Sequence, residues 1–216
     1  MGTQIHDVLR FLFTVVKEGS NQGKLMLELN ESFLLKACSD KFKDTMLSEN
    51  NVKNIIDYAK KLKKQLNDKL GDNLLFFPEF QTSGKVTLNE EVNPDKEDIT
   101  TILGIVDLLV IDKNGKAHII DYKASPHDTF DKAKERTFWY QLGLYYRMLS
   151  QHGLIFAEEN ITMIAPIIMQ NFRKEGANFV IDNVLPKNET EFLEDITNRA
   201  TLHEIRTNLD EFIPIN

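Results

Sequence analysis

Residues 103–123 carry charge where a buried strand pair should carry none. The run Leu103–Asp107 (LGIVD) continues through Leu108, Leu109 and Val110, and after a short turn Ile119 and Ile120 lead into Asp121, Tyr122 and Lys123. Both faces of these strands are apolar, as expected of a central strand pair. An unpaired buried carboxylate or ammonium costs several kcal/mol. Two carboxylates and a lysine converging on one sheet therefore hold something, and they suit a divalent metal and a phosphate.

Register decides whether the three converge. Asp121 and Lys123, two apart on a strand, project to one face. A two-residue turn at Asn114–Gly115 would set Asp107 opposite Tyr122. A three-residue loop of Lys113, Asn114 and Gly115 pairs Asp112 with Lys116 and Asp107 with Asp121. Such loops favour glycine in the left-handed conformation at their third position, where Gly115 falls. The three-residue loop is expected, since a one-residue slip flips every side chain. The competing readings are a solvated surface hairpin and an Asp121–Lys123 ion pair within the sheet.

These residues resemble the PD-(D/E)XK nuclease superfamily, most closely its RecB-like exonuclease branch. Pro78 and Glu79 lie in an apolar segment, residues 74–80 (LLFFPEF), where the family places an acidic residue one strand upstream. Gln141 and Tyr145 (QLGLY) look like its Gln-x-x-x-Tyr signature, and Gly2–His6 (GTQIH) looks like the branch's N-terminal Gly-x-x-x-His. Asp-x-Lys alone is a very weak signal, but five elements in the right order are a strong one. The resemblance runs from residue 2 to about residue 149.

The resemblance implies roles. His6, Asp107 and Asp121, with the main-chain carbonyl of Tyr122, are the implied metal ligands. One imidazole among hard oxygens suits Mg²⁺ or Mn²⁺. Glu79 is expected to bind a second metal, to hold a metal-bound water, or to be structural. Lys123 is expected to position or deprotonate the attacking water or to balance charge in the transition state. Gln141 is implied to orient the Lys123 region or a phosphate, with Tyr145 packed nearby. Gln141 and Tyr145 lie at i, i+4 with Phe138 and Met148, so an ordinary core stripe competes, and Tyr146 replaces Tyr145 if the helix is rotated. For His6 the competing reading is a capping or exposed histidine. His118, His127, His152 and His203 lack ligand-like spacing and are read as structural.

At 216 residues and 42 % hydrophobic content the chain is expected to form a single domain, with a helical part at about 1–72 and a nuclease core at about 73–216. No apolar run approaches the roughly 20 residues of a membrane span. Asp7, Arg10, Lys17 and Glu18 interrupt the N-terminus, which reads as an amphipathic helix rather than a signal peptide. The lone Cys38 excludes a disulfide framework and the four-cysteine iron–sulfur cluster of some relatives, and fits a cytoplasmic protein. A net charge of −7 disfavours tight duplex binding by this chain alone. It leaves nuclease chemistry untouched, because bound metal offsets the site's carboxylates and attached modules can hold DNA.

The expected fold class is α/β (mixed α+β): a central mixed sheet flanked by helices, with a restriction-endonuclease-like core. Helices are expected from Thr3, as cap, to near Gly19, then over 25–47, 52–70, 129–151 and 189–208. The third carries Lys60, Lys61, Lys63, Lys64 and Lys69, read as a solvated face ahead of a DNA contact. Segments 74–81 and 85–88 are expected to form a hairpin around Ser83–Gly84, followed by a polar loop at 89–98. Further strands are expected at 161–169 and 178–184 around a turn at 173–176, with Pro166 marking an edge or a bulge.

The function implied is a metal-dependent DNA exonuclease acting on linear single- or double-stranded DNA in recombination, repair or phage DNA processing. An endonuclease on the same fold is the nearer alternative. A non-catalytic nucleic-acid-binding or scaffold domain of a helicase–nuclease complex is the more distant one. A helicase or other recombination subunit is the implied partner, no membrane is involved, and the nearness of His6 to Met1 fits a domain excised from a longer chain.

Overall fold

A computed structural model describes residues 2–45, 47–87, 99–125, 132–156, 162–169 and 179–181, with backbone alone at 2–3, 86–87, 99–100, 123–125, 132–140, 147, 162–169 and 179–181. Helix α1 (Gly2–Leu12) buries Ile5, Val8, Leu9 and Leu12 along one stripe. It already contains Thr3, which is therefore not its cap, and it stops well before Gly19. The reason is long-range: Val15 forms an antiparallel bridge with Leu25, and Val16 exchanges main-chain hydrogen bonds with Gly23 and Lys24. The β-branched valines suit that extended conformation better than a helix.

The helix expected over 25–47 is likewise shorter. A 3-10 turn at Met26–Glu28 precedes α2 (Glu31–Lys41), which begins where the Asn30 side chain accepts the Ser32 N–H at 3.0 Å. Helix α3 (Glu49–Leu70) is capped by Ser48 and ends at Gly71, whose φ of 88° lies in the left-handed region. Its inward face is Val52, Ile55, Ile56, Tyr58, Ala59, Leu62 and Leu66. Two lysines of its basic face are tied down: Lys60 pairs with Glu31 at 3.4 Å and Lys63 with Glu28 at 3.1 Å.

The sheet comprises β1 (Leu75–Thr87), β2 (Ile99–Ile111), β3 (Lys116–Ser125), β4 (Ile155–Phe156), β5 (Thr162–Met169) and β6 (Phe179–Ile181). Its order is β1-β2-β3-β5-β6, with β4 also pairing β3. Strands β3 and β5 run parallel, joined through α4 (Lys132–Gln151) and β4, while β1–β2, β2–β3 and β5–β6 are antiparallel. This is the expected mixed sheet with helices, consistent with a restriction-endonuclease-like core. Pro166 stands opposite Lys123, and β6 pairs with β5 only at Ile167–Met169, so Pro166 has one neighbouring strand among the described residues. Strand β5 itself is internal, between β3 and β6, and the position that would face Pro166 on the β6 side lies outside the described residues. The expected loop at 89–98, turn at 173–176 and helix at 189–208 lie outside the described residues, as do His127 and His203. None of the described helices is long and apolar enough to cross a membrane.

Two features set up the site. The β2–β3 turn is the three-residue loop: Leu108 pairs with Ile120 and Ile111 with Ala117, and Gly115 has φ 75°. Continued one step, that register puts Asp107 opposite Asp121. In contrast, the expected hairpin at Ser83–Gly84 does not exist. Strand β1 runs straight through both residues, paired with Leu103 and Ile102. Gly84 and Gly104 are there because α4 crosses close above them. A Cβ on Gly84 would lie 2.6 Å from Met148 Cγ, and one on Gly104 would lie 2.8 Å from Tyr145 Cε1.

Strands β1 and β2 also change sides together. Phe76, Leu108 and Val110 pack with α1 and α3, whereas Phe80, Ile102 and Val106 pack with α4, although all are even-numbered. The alternation resets around Glu79, whose φ is 51°, and Asp107. Register is the same on either side, Pro78 facing Leu108 and Phe80 facing Val106, so no residue is inserted.

Candidate metal centre

The register on either side, Pro78 with Leu108 and Phe80 with Val106, sets Glu79 opposite Asp107 across β1 and β2 at this break. Directly opposed like charges destabilise a sheet, so this pair calls for a cation. Burial, and then the negative charge of Asp107, raise the Glu79 carboxyl above its ordinary range, while Arg10 and His6 act the other way. The left-handed backbone of Glu79 is the strained conformation that functional sites retain when their surroundings enforce it.

The first turn of α1 supplies the third member. Its Nδ1 places His6 3.4 Å from Asp107 Oδ1. The imidazole meets the Tyr122 ring edge-on, with centroids 5.7 Å apart, which fixes its orientation. One ligand atom each from His6, Glu79 and Asp107 lie within 4.8 Å of one another. The second oxygen of Asp107 accepts the main-chain N–H of Tyr122 at 2.7 Å, where the β2–β3 ladder has ended. The Asp107 carboxylate thus sits in the fork between two separating strands.

Asp121 is buried on β3, alternating with Ala117 and Ile119 toward α4, and stands outside the three-residue cluster. From α4 comes Tyr145, whose hydroxyl accepts a hydrogen bond from Gln141 Nε2 at 2.9 Å. Burial, and then the charges of Asp121, Asp107 and Glu79, push that phenol well above its ordinary value, so it stays protonated. Tyr145 feels the charge of the carboxylates, whereas Tyr146 packs edge-on against Phe156 at 4.8 Å. Met148 continues the stripe into the core, and the Phe138 side chain lies outside the described residues. Lys123 follows Asp121 by two on β3, and its side chain also lies outside the described residues.

The donor set fits a hard divalent ion. One imidazole and two carboxylates converge, and the thiolate that softer metals prefer is missing: Cys38 is buried elsewhere, its thiol pushed up to about 11 by burial. The described histidines read as structural do stand apart. His118 Nε2 faces Asp112 Oδ2 at 3.2 Å at the hairpin end, and His152 faces the Ser83 carbonyl at 2.7 Å.

The sequence model of the PD-(D/E)XK nuclease superfamily matches residues 1–215. The chain belongs to the PD-(D/E)XK nuclease superfamily. No curated protein sequence matches it significantly. Among similar solved structures is one described as the crystal structure of SSO0001, at 15 % identity and a TM-score of 0.32, covering 83 % of this chain and 80 % of the other. Membership in the PD-(D/E)XK superfamily makes hydrolytic nuclease chemistry the activity class. It also accounts for a carboxylate-lined fork at the centre of this sheet. Sequence reasoning missed three contributors to the site: the left-handed Glu79, the glycine pair under α4, of which Gly104 admits Tyr145, and Arg10, whose charge acts on Glu79. For the glycines, the signal was their place within otherwise apolar strands.

Proposed function

We propose that this chain is a divalent-metal-dependent deoxyribonuclease of the RecB-like exonuclease type, folded as one domain, that hydrolyses phosphodiester bonds in linear DNA. The observation that carries the reading is the convergence of His6, Glu79 and Asp107 within 4.8 Å, with Asp121 opposite Asp107 by register. His6, Asp107, Asp121 and the Tyr122 carbonyl hold Mg²⁺ or Mn²⁺, with Glu79 as a further ligand or as the holder of a water. The ion supplies Lewis acidity toward the phosphate and lowers the pKa of water.

The protein's own groups do the rest. Tyr122 holds Asp107 through its N–H and His6 through its ring, so both ligands are oriented before substrate arrives. Lys123, on the strand that carries Asp121, places or deprotonates the attacking water or balances charge on the phosphoryl oxygens. Gln141 and Tyr145 brace the Asp121 side of the fork, Tyr145 as a protonated donor. A cytoplasmic setting in recombination, repair or phage DNA processing, alongside a helicase subunit, fits this chemistry.

The test is digestion of linear and closed-circular DNA, single- and double-stranded, with Mg²⁺ or Mn²⁺ and an EDTA control. Metal-dependent loss of linear substrate alone supports the exonuclease. Nicking of circles moves the assignment to an endonuclease, and binding without cleavage moves it to a scaffold domain.

A further inference from the structure

Helix α1 carries more than a metal ligand toward the fork. Arg10 lies four residues after His6, on the same helical face. Its Nη2 is 3.0 Å from Asp7 Oδ1, and both side chains are about half exposed, at 50 % and 41 %. The charge of Arg10 acts to lower the Glu79 carboxyl, against the burial that raises it. A chain of net charge −7 thus carries a guanidinium on the helical face that brings His6 to the acidic cluster, paired to a carboxylate one turn back.

We propose that Arg10 is a phosphate-binding residue of this site, resting on Asp7 until a backbone phosphate next to the scissile one displaces that carboxylate. The inference deepens the nuclease reading and rests on it. An exposed ion pair contributes little, so exchanging Asp7 for phosphate is easy. A guanidinium fork matches two phosphoryl oxygens as well as it matches a carboxylate. The local cation also answers the charge problem, because the phosphate arrives between Arg10 and a metal-filled cluster rather than against bare acid. Asp7 then acts as a competitor for Arg10, and removing it strengthens DNA binding.

Breaking the pair from each side separates this role from a structural one. In a Lys123→Ala background, the affinity for a labelled oligonucleotide is measured by anisotropy across a salt series with Mg²⁺. Arg10→Gln is expected to weaken binding about tenfold and to flatten the slope of log affinity against log salt by about 1. Arg10→Lys recovers part of the loss, and Asp7→Asn tightens binding. In the otherwise unaltered enzyme Arg10→Gln raises KM and leaves kcat, and Mn²⁺ binding is unchanged.

Equal weakening by Arg10→Gln and Asp7→Asn would mean that the ion pair serves only to stabilise α1, and would overturn the proposal. So would an unchanged salt slope and KM in Arg10→Gln, or loss of Mn²⁺ binding in that variant. These outcomes, in a wild type that degrades DNA, remove Arg10 alone. A wild type that neither cleaves nor binds DNA removes the nuclease reading and Arg10 with it.

Discussion

The carboxylate of Asp107 accepts the main-chain N–H of Tyr122 at 2.7 Å, taking the place of a β-ladder bond that would otherwise continue from Leu108–Ile120. One oxygen is thereby fixed by the backbone and the other is left facing His6. Asp107→Asn and Asp107→Ala both lose metal affinity and cleavage, by at least roughly 100-fold. They differ in stability, because asparagine can still accept the Tyr122 N–H whereas alanine leaves it unsatisfied, at about 1–3 kcal/mol. Thermal melts in EDTA should place Asp107→Ala below Asp107→Asn.

Glu79 links stability to pH. Its folded carboxyl is raised above the ordinary 4.5 by burial and by Asp107, so the metal-free folded state holds this proton more tightly than the unfolded chain does. That contribution is present below about 4.5 and is lost as pH rises through the raised folded value. Glu79→Gln removes this decline and the repulsion of Asp107. Metal-free Glu79→Gln should therefore gain on wild type as pH rises through this window, while the rise in Tm on adding Mn²⁺ shrinks. Denaturant titrations from pH 4 upward, with and without Mn²⁺, read both effects.

At the other end of the hairpin, Asp112 has the opposite linkage. Burial acts upward on its carboxyl, but the Lys116 N–H, the His118 ring and the Asn114 N–H outweigh it and hold it below the ordinary 3.8. The stability it contributes is present above 3.8 and is lost as pH falls through its folded value. Asp112→Ala should destabilise the protein at neutral pH by about 1–3 kcal/mol, with the gap to wild type closing in acid. Urea midpoints measured from pH 7 down to pH 3 check this.

Glycine substitutions probe the crossing of α4. A Cβ at position 84 meets Met148 Cγ at 2.6 Å and its Cα at 3.1 Å, and one at 104 meets Met148 Cε at 2.7 Å and the Tyr145 ring at 2.8 Å. Gly84→Ala and Gly104→Ala should each cost about 1–3 kcal/mol by overpacking. Gly104→Ala should also lower kcat by displacing Tyr145, whereas Gly84→Ala should not. Melting curves and steady-state rates separate the two.

Legibility in the sequence followed the range of the forces involved. The turn at Lys113–Gly115 was readable because its conformation is local: a left-handed glycine sets the loop length, and the loop length sets the register. The central mixed sheet followed from the apolar strands, and His6 and Glu79 stood out only through a family resemblance. Gly84 looked like a turn because crowding by Met148 from more than sixty residues away leaves the same local signature as a bend. The end of α1 at Leu12 depended on the Val15–Leu25 bridge, another distant partner. Nothing in residues 74–80 announces that Glu79 will adopt φ 51°.

His6, Glu79 and Asp107 are expected to hold one hard divalent ion for nuclease chemistry. The decisive measurement is titration of the metal-free protein with Mn²⁺, following free ion by electron paramagnetic resonance. Saturable binding is expected in wild type, with strong weakening in His6→Ala and Asp107→Ala and retained binding in Lys123→Ala. Equal Mn²⁺ binding in all four proteins, or none in wild type, would contradict that expectation.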